Sequence, residues 1–306
     1  MKIHGLMVTY RRPAQAGETL RSVAEQSRRP DTLTVVDNAP KDDAEEILGA
    51  LWGGEFSYLG MSDNLGPAGG IARGMKSILE FADPDDWVLS IDDDDPPPLR
   101  ETIERLERLA VSLRESGDRV AGVAAVGARF DLRRGRVIRI PDHELTVPAV
   151  PVDHIGGNQY PLYSVAAIRD VGVFDESLFF GFEELEYGLR LVAGGWNLYC
   201  DGHMRLERRT AAARLGYGTR PASVGFDSVS WRMYYSRRNL LLILRRHGSW
   251  VGFARVAAVG LGKPVVNLLR TPRLAGRAFK LQALGVWHGA IGKTGRVVEP
   301  SNGFDD

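Results

Sequence analysis

The stretch Asp85–Pro98 reads DDWVLSIDDDDPPP, and in it a short apolar run, Trp87–Ile91, leads directly into four consecutive aspartates. Such a run predicts a buried strand. The carboxylates of Asp92–Asp95 repel one another and cannot continue a sheet, and Pro96–Pro98 prevent a helix from starting at once. The four carboxylates are therefore expected at the end of a strand.

Carboxylates in that position favour a particular chemistry. In an open α/β sheet, ligands bind beyond the carboxyl ends of the strands. Clustered carboxylates there suit a hard cation with oxygen ligands, Mg²⁺ or Mn²⁺. The alternative is a solvated acidic turn, which is disfavoured because the flanking apolar residues and prolines hold the acids in a fixed place.

The composition bounds the class of protein. A chain of 306 residues that is 44% hydrophobic and 25% charged predicts one large globular domain with an appendage. The single cysteine, Cys200, excludes an internal disulfide framework and a cysteine-based zinc site, and it fits a reducing compartment. No uninterrupted run of about 18 apolar residues occurs, so we expect no spanning helix. These features predict a cytoplasmic protein.

The charges are distributed unevenly along the chain. Trp231–Val298 holds 13 Lys or Arg residues and no Asp or Glu, whereas Met1–Ser230 holds 26 basic and 36 acidic residues and has a net charge of −10. We place a domain boundary at this change of charge, near Gly225. The prediction is a catalytic domain over residues 1–225 and a basic, amphipathic, helical region over residues 226–306.

The basic region begins with WRMYYSRRNLLLILRRH at residues 231–247, which predicts a helix with apolar and aromatic residues on one side and arginines on the other. Such helices suit an anionic bilayer and would hold the protein peripherally at the inner face of the cell membrane. Nucleic acid is the less favoured polyanion, because the aliphatic run Leu240–Leu244 would make no favourable contact with a phosphate backbone. A helical domain for oligomerisation or core packing is the remaining alternative.

The start of the chain has the βαβ rhythm of a nucleotide-binding half sheet. Lys2–Thr9 predicts a strand, Glu18–Gln26 a helix, and Leu33–Val36 a second strand. Asp37 then either accepts a hydrogen bond from a base or ribose or serves only as a turn former. The residues expected to face the ligand crevice are Thr9, Tyr10, Arg11 and Asp37.

The segment Tyr58–Gly74, YLGMSDNLGPAGGIARG, predicts a glycine-rich loop that runs into a helix. Glycines permit close approach of the backbone to a ligand, although the segment matches neither a P-loop nor a GxGxxG fingerprint. A plain strand-to-helix connection is the alternative. The residues expected to bind the nucleotide sugar here are Asn64, Gly66, Gly70 and Arg73.

The motifs TYRRP, VVDNAP, NLGPAGGIARG and SIDDDD, in that order, resemble the amino-terminal half of the inverting nucleotide-sugar glycosyltransferases of family 2, which have the GT-A fold. Downstream, Gly156-Gly157-Asn158 and RDVGVFDESLFFGFEELEYGLRLVAGGW (169–196) resemble the acceptor-side segment of that family. EYGLR and IDDDD are similar to the galactofuranosyltransferase branch, and WRMYYSRRN is similar to bacterial rhamnosyltransferases. The resemblance covers about residues 3–200. It implies an α/β fold with a mixed, mostly parallel sheet flanked by helices, followed by a helical C-terminal region.

The resemblance also implies a metal site. Asp92 and Asp94 would be the DxD pair near a Mg²⁺ or Mn²⁺ ion that bridges the donor diphosphate, and Asp93 would orient them or touch the sugar. Such an ion acts as a Lewis acid on the departing nucleoside diphosphate. Relatives often have a histidine where Glu207-Arg208 stands here, so His203 is the candidate for a further metal ligand.

Inverting transfer needs a base for the acceptor hydroxyl, on the face of the sugar opposite the diphosphate. The candidates Glu183, Glu184 and Glu186 follow the aromatic run Phe179–Phe182, a setting that would raise the pKa of a carboxyl group toward neutrality. Matching to the family favours Glu184 as the base. Because the family more often has Asp at the position of Glu184, Glu183 remains the second candidate. The alternative is that these glutamates only complement the dipole of the helix that they begin. Arg190, further along that helix, is either a structural ion partner or a contact to the diphosphate.

Two further segments contain more than one arginine. Arg129–Ile140 predicts a strand hairpin that turns at Arg134-Gly135, expected on the acceptor side. Arg214–Arg220 predicts a loop that closes over the donor phosphates. A solvated surface loop is the alternative for each.

Together the motifs predict metal-dependent, inverting transfer of a sugar from a UDP- or dTDP-sugar, with galactofuranose or rhamnose favoured. The acceptor would be a hydroxyl of a lipid-linked glycan or cell-wall polysaccharide, and the partners a glycan or glycolipid, an anionic membrane surface and, as an open option, a second copy of the chain. The competing class is a non-catalytic nucleotide-sugar binding protein or a nucleotidyltransferase. A pyrophosphorylase would need a lysine in the glycine-rich loop after the first strand, and TYRRPAQAG lacks it.

Overall fold

The computed structural model describes residues 1–40, 43–156, 160–216, 229–266 and 272–300. Gly157, Asn158, the boundary near Gly225 and the second half of Arg214–Arg220 therefore lie outside the described residues. The chain divides into two units. Unit 1 comprises Met1–Arg129, Ile140–Glu176 and Glu184–Gly216, and unit 2 comprises Phe130–Arg139, Ser177–Glu183 and Tyr217–Asp306.

Strands and helices alternate through the first part of the chain. The strands are β1 (Ile3–Thr9), β2 (Thr32–Asp37), β3 (Glu55–Gly60), β4 (Trp87–Asp92), β5 (Val120–Ala124), β6 (Gly127–Asp131), β7 (Arg136–Ile138), β8 (Ala149–Val152), β9 (His154–Ile155), β10 (Leu162–Ser164) and β11 (Asn197–Asp201). The α-helices are α1 (Pro13–Ala24), α2 (Ala44–Trp52), α3 (Gly66–Ile78), α4 (Thr102–Glu115), α5 (Val165–Val171), α6 (Glu183–Ala193), α7 (Gly202–Ala211), α8 (Arg232–Arg246), α9 (Trp250–Val266) and α10 (Pro272–Ile291).

The strands predicted at Lys2–Thr9, Leu33–Val36 and Trp87–Ile91 are confirmed to within one residue at each end. The hairpin predicted within Arg129–Ile140 is also confirmed, because β6 and β7 are neighbours in a small sheet of order β7-β6-β9. The amide of Gly135 donates to the carbonyl of Asp131, 2.7 Å away, and closes its turn.

The main sheet of unit 1 has the strand order β3-β2-β1-β4-β10-β5-β11-β8. The pairs β2 with β3, β1 with β2, β1 with β4 and β5 with β11 are parallel. β10 is antiparallel to both of its neighbours, and β8 is antiparallel to β11. Six of the eight strands thus run in one direction, which confirms the mixed, mostly parallel sheet.

Alternation along the strands fills a hydrophobic core on each face of this sheet. Leu6 and Val88 pack into one core together with residues of α3, α5 and α6. Met7 and Trp87 pack into the other core together with residues of α1, α2 and α4. Helices therefore cover both faces, and the carboxyl ends of the central strands are left for polar residues.

Two glycines bring α3 close to β1. A Cβ atom on Gly70 would lie 2.5 Å from Val8 Cγ1, and one on Gly74 would lie 2.1 Å from Leu6 Cδ1. The predicted glycine-rich loop is thus wrong for these positions, because they belong to a helix that only glycine allows to approach the strand so closely.

In unit 2, α8 lies buried between α9 and α10. Arg238 is fully buried, and Arg237 donates to the carbonyl of Val256 at 2.7 Å and to the amide oxygen of Gln282 at 2.5 Å. The prediction that the arginines of this helix lie on the side opposite its apolar residues is therefore wrong for Arg237 and Arg238, whereas Arg232, Arg245 and Arg246 are exposed. Neutral oxygen acceptors inside the bundle hold Arg237 and Arg238. Within the residues that the structure describes, the helices fall short of the length and apolar content that a membrane span requires.

Candidate functional site

Three parallel strands of unit 1 bring polar residues to one edge of the sheet. Thr9, the last residue of β1, is paired in register with Asp37, the last residue of β2. Val8 of β1 is paired with Asp92, the last residue of β4. The carboxylates predicted from the sequence therefore lie beside the ends of β1 and β2, where an open α/β sheet binds ligands.

The backbone after β4 is fixed by two threonines. Thr9 donates from its hydroxyl to the Oδ2 atom of Asp93 at 2.8 Å, and Thr19 donates to the backbone carbonyl of Asp93 at 3.1 Å. Asp93 is buried. The acidic residues after β4 thus keep one geometry, because side chains of strand β1 and helix α1 hold Asp93 in place.

The acidic cluster, Asp92, Asp93 and Asp94, has ligand atoms that all lie within 4.8 Å of one another. Burial raises the pKa of Asp92 to about 7, and the charge and hydrogen bond of Asp94 add to this effect. Burial also raises the pKa of Asp93, although the hydrogen bond from Thr9 and the charge of Arg12 oppose it. Ionising the whole cluster is therefore costly, and a cation among the carboxylates would relieve that cost.

Arg12 is the residue of this site that the sequence reasoning missed. Its Nη1 atom lies 2.6 Å from Asp94 Oδ2 and 3.8 Å from Asp93 Oδ1. Arg11, which was expected to face the crevice, has a positive φ of 58° and places its guanidinium 5.1 Å from the centre of the ring of the half-buried Tyr10. The two arginines are adjacent in TYRRP, so only the backbone turn after β1 distinguishes them.

Asp37 is tightly held. It accepts a hydrogen bond from the hydroxyl of Tyr58 at 2.8 Å and another from the amide of Ala39 at 2.8 Å. The second bond is the one expected for a turn former. The side chain therefore has a fixed orientation at the end of β2.

The residues around the start of α3 are also organised from within the chain. Asn38 accepts from the amide of Leu65 at 3.3 Å and donates to the carbonyl of Gly66 at 3.2 Å. Asn64 accepts from the amide of Gly66 at 2.8 Å, and Gly66 has a φ of 69°. Arg73 is exposed on α3. Asn64 and Gly66 thus shape the turn before α3, and Asn38 is a second residue that the sequence reasoning missed.

His203 does not join the acidic cluster. It lies in the first turn of α7, where its Nε2 atom is 2.9 Å from the carbonyl oxygen of Thr146. Among the described residues, the group of His, Cys, Asp and Glu side chains that could hold a metal ion consists of Asp92, Asp93 and Asp94. We therefore do not retain His203 as a metal ligand.

A second acidic group begins at the start of α6. Glu183 is buried and Glu184 is half-buried. Glu186 makes two 3.0 Å contacts with the guanidinium of Arg190, which also donates to the carbonyls of Val171 and Val173. Glu186 and Arg190 thus form a structural ion pair, which leaves Glu183 and Glu184 as the candidates for a catalytic carboxylate.

Comparison with known proteins agrees with this geometry. A family model described as Glycosyl transferase family 2 matches residues 6–172, more than half of the chain. Galactofuranosyltransferase GlfT1 of Mycobacterium tuberculosis (strain ATCC 25618 / H37Rv) is 32% identical over an alignment of 208 residues, and the match covers 63% of this chain and 65% of that protein. The chain thus matches less than two thirds of the length of this relative.

Solved structures share the fold. TarS 1-349 of S. aureus in complex with UDP-GlcNAc has a TM-score of 0.51 at 15% identity, covering 96% of this chain and 93% of that one. Mannosyltransferase PcManGT from Pyrobaculum calidifontis in complex with GDP-Man and Mn²⁺ has a TM-score of 0.50 at 14% identity, covering 95% of this chain and 86% of that one. These likenesses confirm the GT-A fold expected from the sequence.

Proposed function

The chain belongs to glycosyl transferase family 2, and we propose that it transfers a sugar from a nucleoside diphosphate donor to an acceptor hydroxyl with inversion at the transferred carbon. The observation that carries the proposal is the acidic cluster at the carboxyl end of β4. Its three carboxylates converge within 4.8 Å at the sheet edge where Thr9 and Asp37 also lie. A site of this charge and position suits a cation together with a diphosphate.

Asp92, Asp93 and Asp94 would hold a divalent ion, because carboxylate oxygens are the ligands that Mg²⁺ and Mn²⁺ prefer. The raised pKa of Asp92 supports this assignment, since it reflects burial and negative charges that an added cation would offset. When bound, such an ion neutralises the charge that grows on the departing nucleoside diphosphate. The Mn²⁺ ion in the PcManGT complex supports a divalent metal at this site without distinguishing Mg²⁺ from Mn²⁺. The experiment below therefore includes both Mg²⁺ and Mn²⁺.

The nucleotide would lie along the ends of β1 and β2. Asp37, with its orientation fixed by Tyr58 and Ala39, is proposed to accept a hydrogen bond from the base or ribose. Arg12 is proposed to leave Asp94 and pair with the diphosphate when the donor binds, since a guanidinium recognises phosphate oxygens well. Thr9 keeps Asp93 in place throughout.

Glu184 is proposed as the base, with Glu183 as its rival. The acceptor oxygen forms a bond to the anomeric carbon while the bond from that carbon to the diphosphate oxygen breaks. The hydroxyl proton passes to the carboxylate, and the electron pair of the broken bond leaves with the nucleoside diphosphate. Half-burial of Glu184 at the start of α6 supports this role, because a carboxylate shielded from water on one side remains reachable by a substrate.

The donor is proposed to be UDP-galactofuranose or, as the second choice, a dTDP-rhamnose type sugar. The 32% identity to a protein named as a galactofuranosyltransferase supports the first choice. The acceptor is proposed to be a lipid-linked glycan or cell-wall polysaccharide. A non-catalytic nucleotide-sugar binding protein is the competing function.

We also propose that unit 2 holds the enzyme at the inner face of an anionic membrane. The exposed face of α9 and α10 combines large apolar side chains with cations, which is the composition of an interfacial surface. Its exposed apolar residues include Trp250, Val251, Val259, Phe279 and Trp287, and its exposed cations are Arg255, Arg273, Arg277 and Lys280.

A panel of nucleotide sugars tests the proposed function. Thermal stability is measured with each UDP- or dTDP-sugar, with Mg²⁺, Mn²⁺ or a chelator present. We expect one donor to raise the melting temperature only when a divalent ion is present, and the product of that donor to have the inverted anomeric configuration by NMR. Stabilisation without transfer or donor hydrolysis would favour the binding protein, and no stabilisation by any donor would overturn the proposal.

A further inference from the structure

The turn Leu178–Phe182, which directly precedes Glu183, has an unusual backbone. Phe179, Gly181 and Phe182 have φ values of 63°, 82° and 65°. This left-handed region suits glycine, whereas a side chain with a Cβ atom is strained there. Two of the three residues are phenylalanines, so the surrounding structure must hold the turn in this shape.

Arg238 and Asn239, on the buried helix α8, supply the donors that hold the turn. The side-chain amide nitrogen of Asn239 lies 3.0 Å, 2.9 Å and 2.7 Å from the carbonyl oxygens of Leu178, Phe180 and Gly181. An asparagine amide has two hydrogens, so the three carbonyls share them. Both side chains on α8 are fully buried.

Arg238 fixes the orientation of Asn239 and adds a donor of its own. Its Nε atom donates to the amide oxygen of Asn239 at 2.9 Å, so the amide nitrogen must face the turn. Its Nη2 atom donates to the carbonyl of Leu178 at 2.8 Å, and its Nη1 atom donates to the carbonyl of Gly295 at 2.5 Å. The amide of Gly295 in turn donates to the carbonyl of Ser177 at 2.6 Å.

Aromatic packing holds the other side of the turn. The ring of Phe179 lies 5.0 Å from that of Tyr235, and the ring of Phe180 lies 4.7 Å from that of Trp231. Tyr235 and Trp231 belong to the same stretch of chain as Arg238 and Asn239, so the start and first half of α8 contact both the backbone and the side chains of the turn.

We propose that Arg238 and Asn239 are positioning residues for the transfer reaction: they hold the turn Leu178–Phe182 in the strained shape from which Glu183 and Glu184 begin α6. This inference rests on the proposed function, because it assumes that one of these glutamates is the base. It gives the RRN part of WRMYYSRRN a role in geometry, separate from any membrane contact.

The test compares Asn239→Ala with Gln282→Ala. Gln282 is buried in the same helical bundle and contacts Arg237, so its loss disturbs the bundle without removing a donor from the turn. We expect Asn239→Ala to lower kcat by about 10- to 100-fold, the scale of a small misplacement of a reacting group. In Asn239→Ala, the Kd for UDP with Mn²⁺ and the binding stoichiometry should stay within about 2-fold of the wild-type values. Gln282→Ala should keep kcat within about 3-fold of the wild-type value.

A second variant covers the case in which Asn239→Ala does not fold. Gly181→Ala places a Cβ atom at ordinary van der Waals distance from its nearest neighbour, 3.6 Å from Ser236 Oγ, and therefore disturbs the φ of the turn without a steric clash. It should lower kcat with unchanged donor affinity in the same way.

The outcomes separate this inference from the function on which it rests. If Glu183→Gln and Glu184→Gln are both fully active, the base assignment is wrong and the positioning role falls with it. If one of them is inactive while Asn239→Ala or Gly181→Ala keeps wild-type kcat, the proposed function stands and the positioning role is overturned. Equal losses of kcat in Asn239→Ala and Gln282→Ala would also overturn it, because they would indicate a general loss of structure.

Discussion

The acidic cluster of unit 1 and the Arg238–Asn239 pair of unit 2 are both groups of polar side chains, but their burial and surroundings differ. Asp92 is half-buried and Asp94 is exposed, whereas Arg238 and Asn239 are fully buried. The carboxylates of Asp92 and Asp94 lie against one another, and their proximity contributes to the raised pKa of Asp92. Arg238 instead donates to two carbonyls and one amide oxygen supplied by the chain itself. Like charges held close together favour a site for a ligand from outside the chain, whereas a charge whose hydrogen bonds are made within the chain favours a structural role.

The largest effect should come from Asp94→Ala. Removing a carboxylate from the acidic cluster should abolish measurable transfer and weaken Mn²⁺-dependent nucleotide binding, because the diphosphate charge would lose its compensation. Transfer rate and UDP affinity with Mn²⁺ are the measurements. Asp95→Asn is the matched control, since Asp95 follows directly but is not part of the cluster, and it should remain active. Full activity of Asp94→Ala would contradict the metal assignment.

The next largest effect should come from Glu184→Gln. We expect the transfer rate to fall by about 10² to 10⁴ fold, the usual contribution of a positioned general base. Donor binding should stay nearly intact, because glutamine keeps the size of the side chain and removes only its basicity. If Glu184→Gln is active and Glu183→Gln is inactive, the base is Glu183 and the match to the family is displaced by one residue.

Arg238→Met tests the scaffold side of the comparison. The carbonyls of Leu178 and Gly295 and the amide oxygen of Asn239 would each lose the hydrogen bond that Arg238 donates, so the free energy of unfolding should fall by about 2–4 kcal/mol. Denaturant titration measures this change, with Mn²⁺-dependent UDP affinity as the second readout. Stability equal to that of the wild type would contradict the structural role of Arg238. If only the affinity for UDP fell, Arg238 would be part of a ligand site instead.

The smallest effect concerns the exposed face of α9 and α10. Replacing Trp250 and Trp287 together by serine should weaken binding to anionic liposomes by about 10-fold, through the loss of buried apolar area and without a change in charge. Moderate salt should weaken the binding of the wild-type chain. Phe81→Ser is the control, because Phe81 is a large exposed aromatic residue of unit 1. Wild-type chain that does not bind liposomes even at low salt would leave packing or self-association as the role of this face.

Several features could be predicted from the sequence because they are local. The apolar run Trp87–Ile91, the acids that follow it and the prolines after them locate β4 and its carboxylate end, and the structure has both. Thr9 and Asp37 were also placed correctly at the sheet edge, because strand ends in a βαβ unit meet there.

Other features depend on contacts between distant parts of the chain and could not be predicted. Whether Arg11 or Arg12 reaches Asp94 depends on the positive φ of Arg11. Arg237 and Arg238 of α8 were expected on the side opposite its apolar residues, yet Gln282 and backbone carbonyls accept their hydrogen bonds inside the bundle. His203 is bonded to Thr146, which is distant in sequence.

The raised pKa of Asp92 has a definite consequence for pH. Because the folded chain binds this proton more tightly than the unfolded chain, the group favours the folded state at low pH, and this contribution is lost as the pH rises through about 7. Asp92→Asn should therefore be more stable than the wild type at pH 8 without a metal, and the difference should shrink toward pH 4. Thermal unfolding with a chelator at the two pH values measures it.

We propose that the acidic cluster binds a nucleoside diphosphate only together with a divalent cation. Calorimetric titration of Mn²⁺ into the chain with UDP, repeated in buffers of different ionisation enthalpy, tests this proposal. We predict binding that releases close to one proton per ion at pH 6 and close to none at pH 8, since Asp92 must be ionised to act as a ligand. Asp92→Asn should show weaker binding and no proton release. A chain that binds UDP equally well with Mn²⁺ or a chelator, and releases no proton at any pH, would contradict the account.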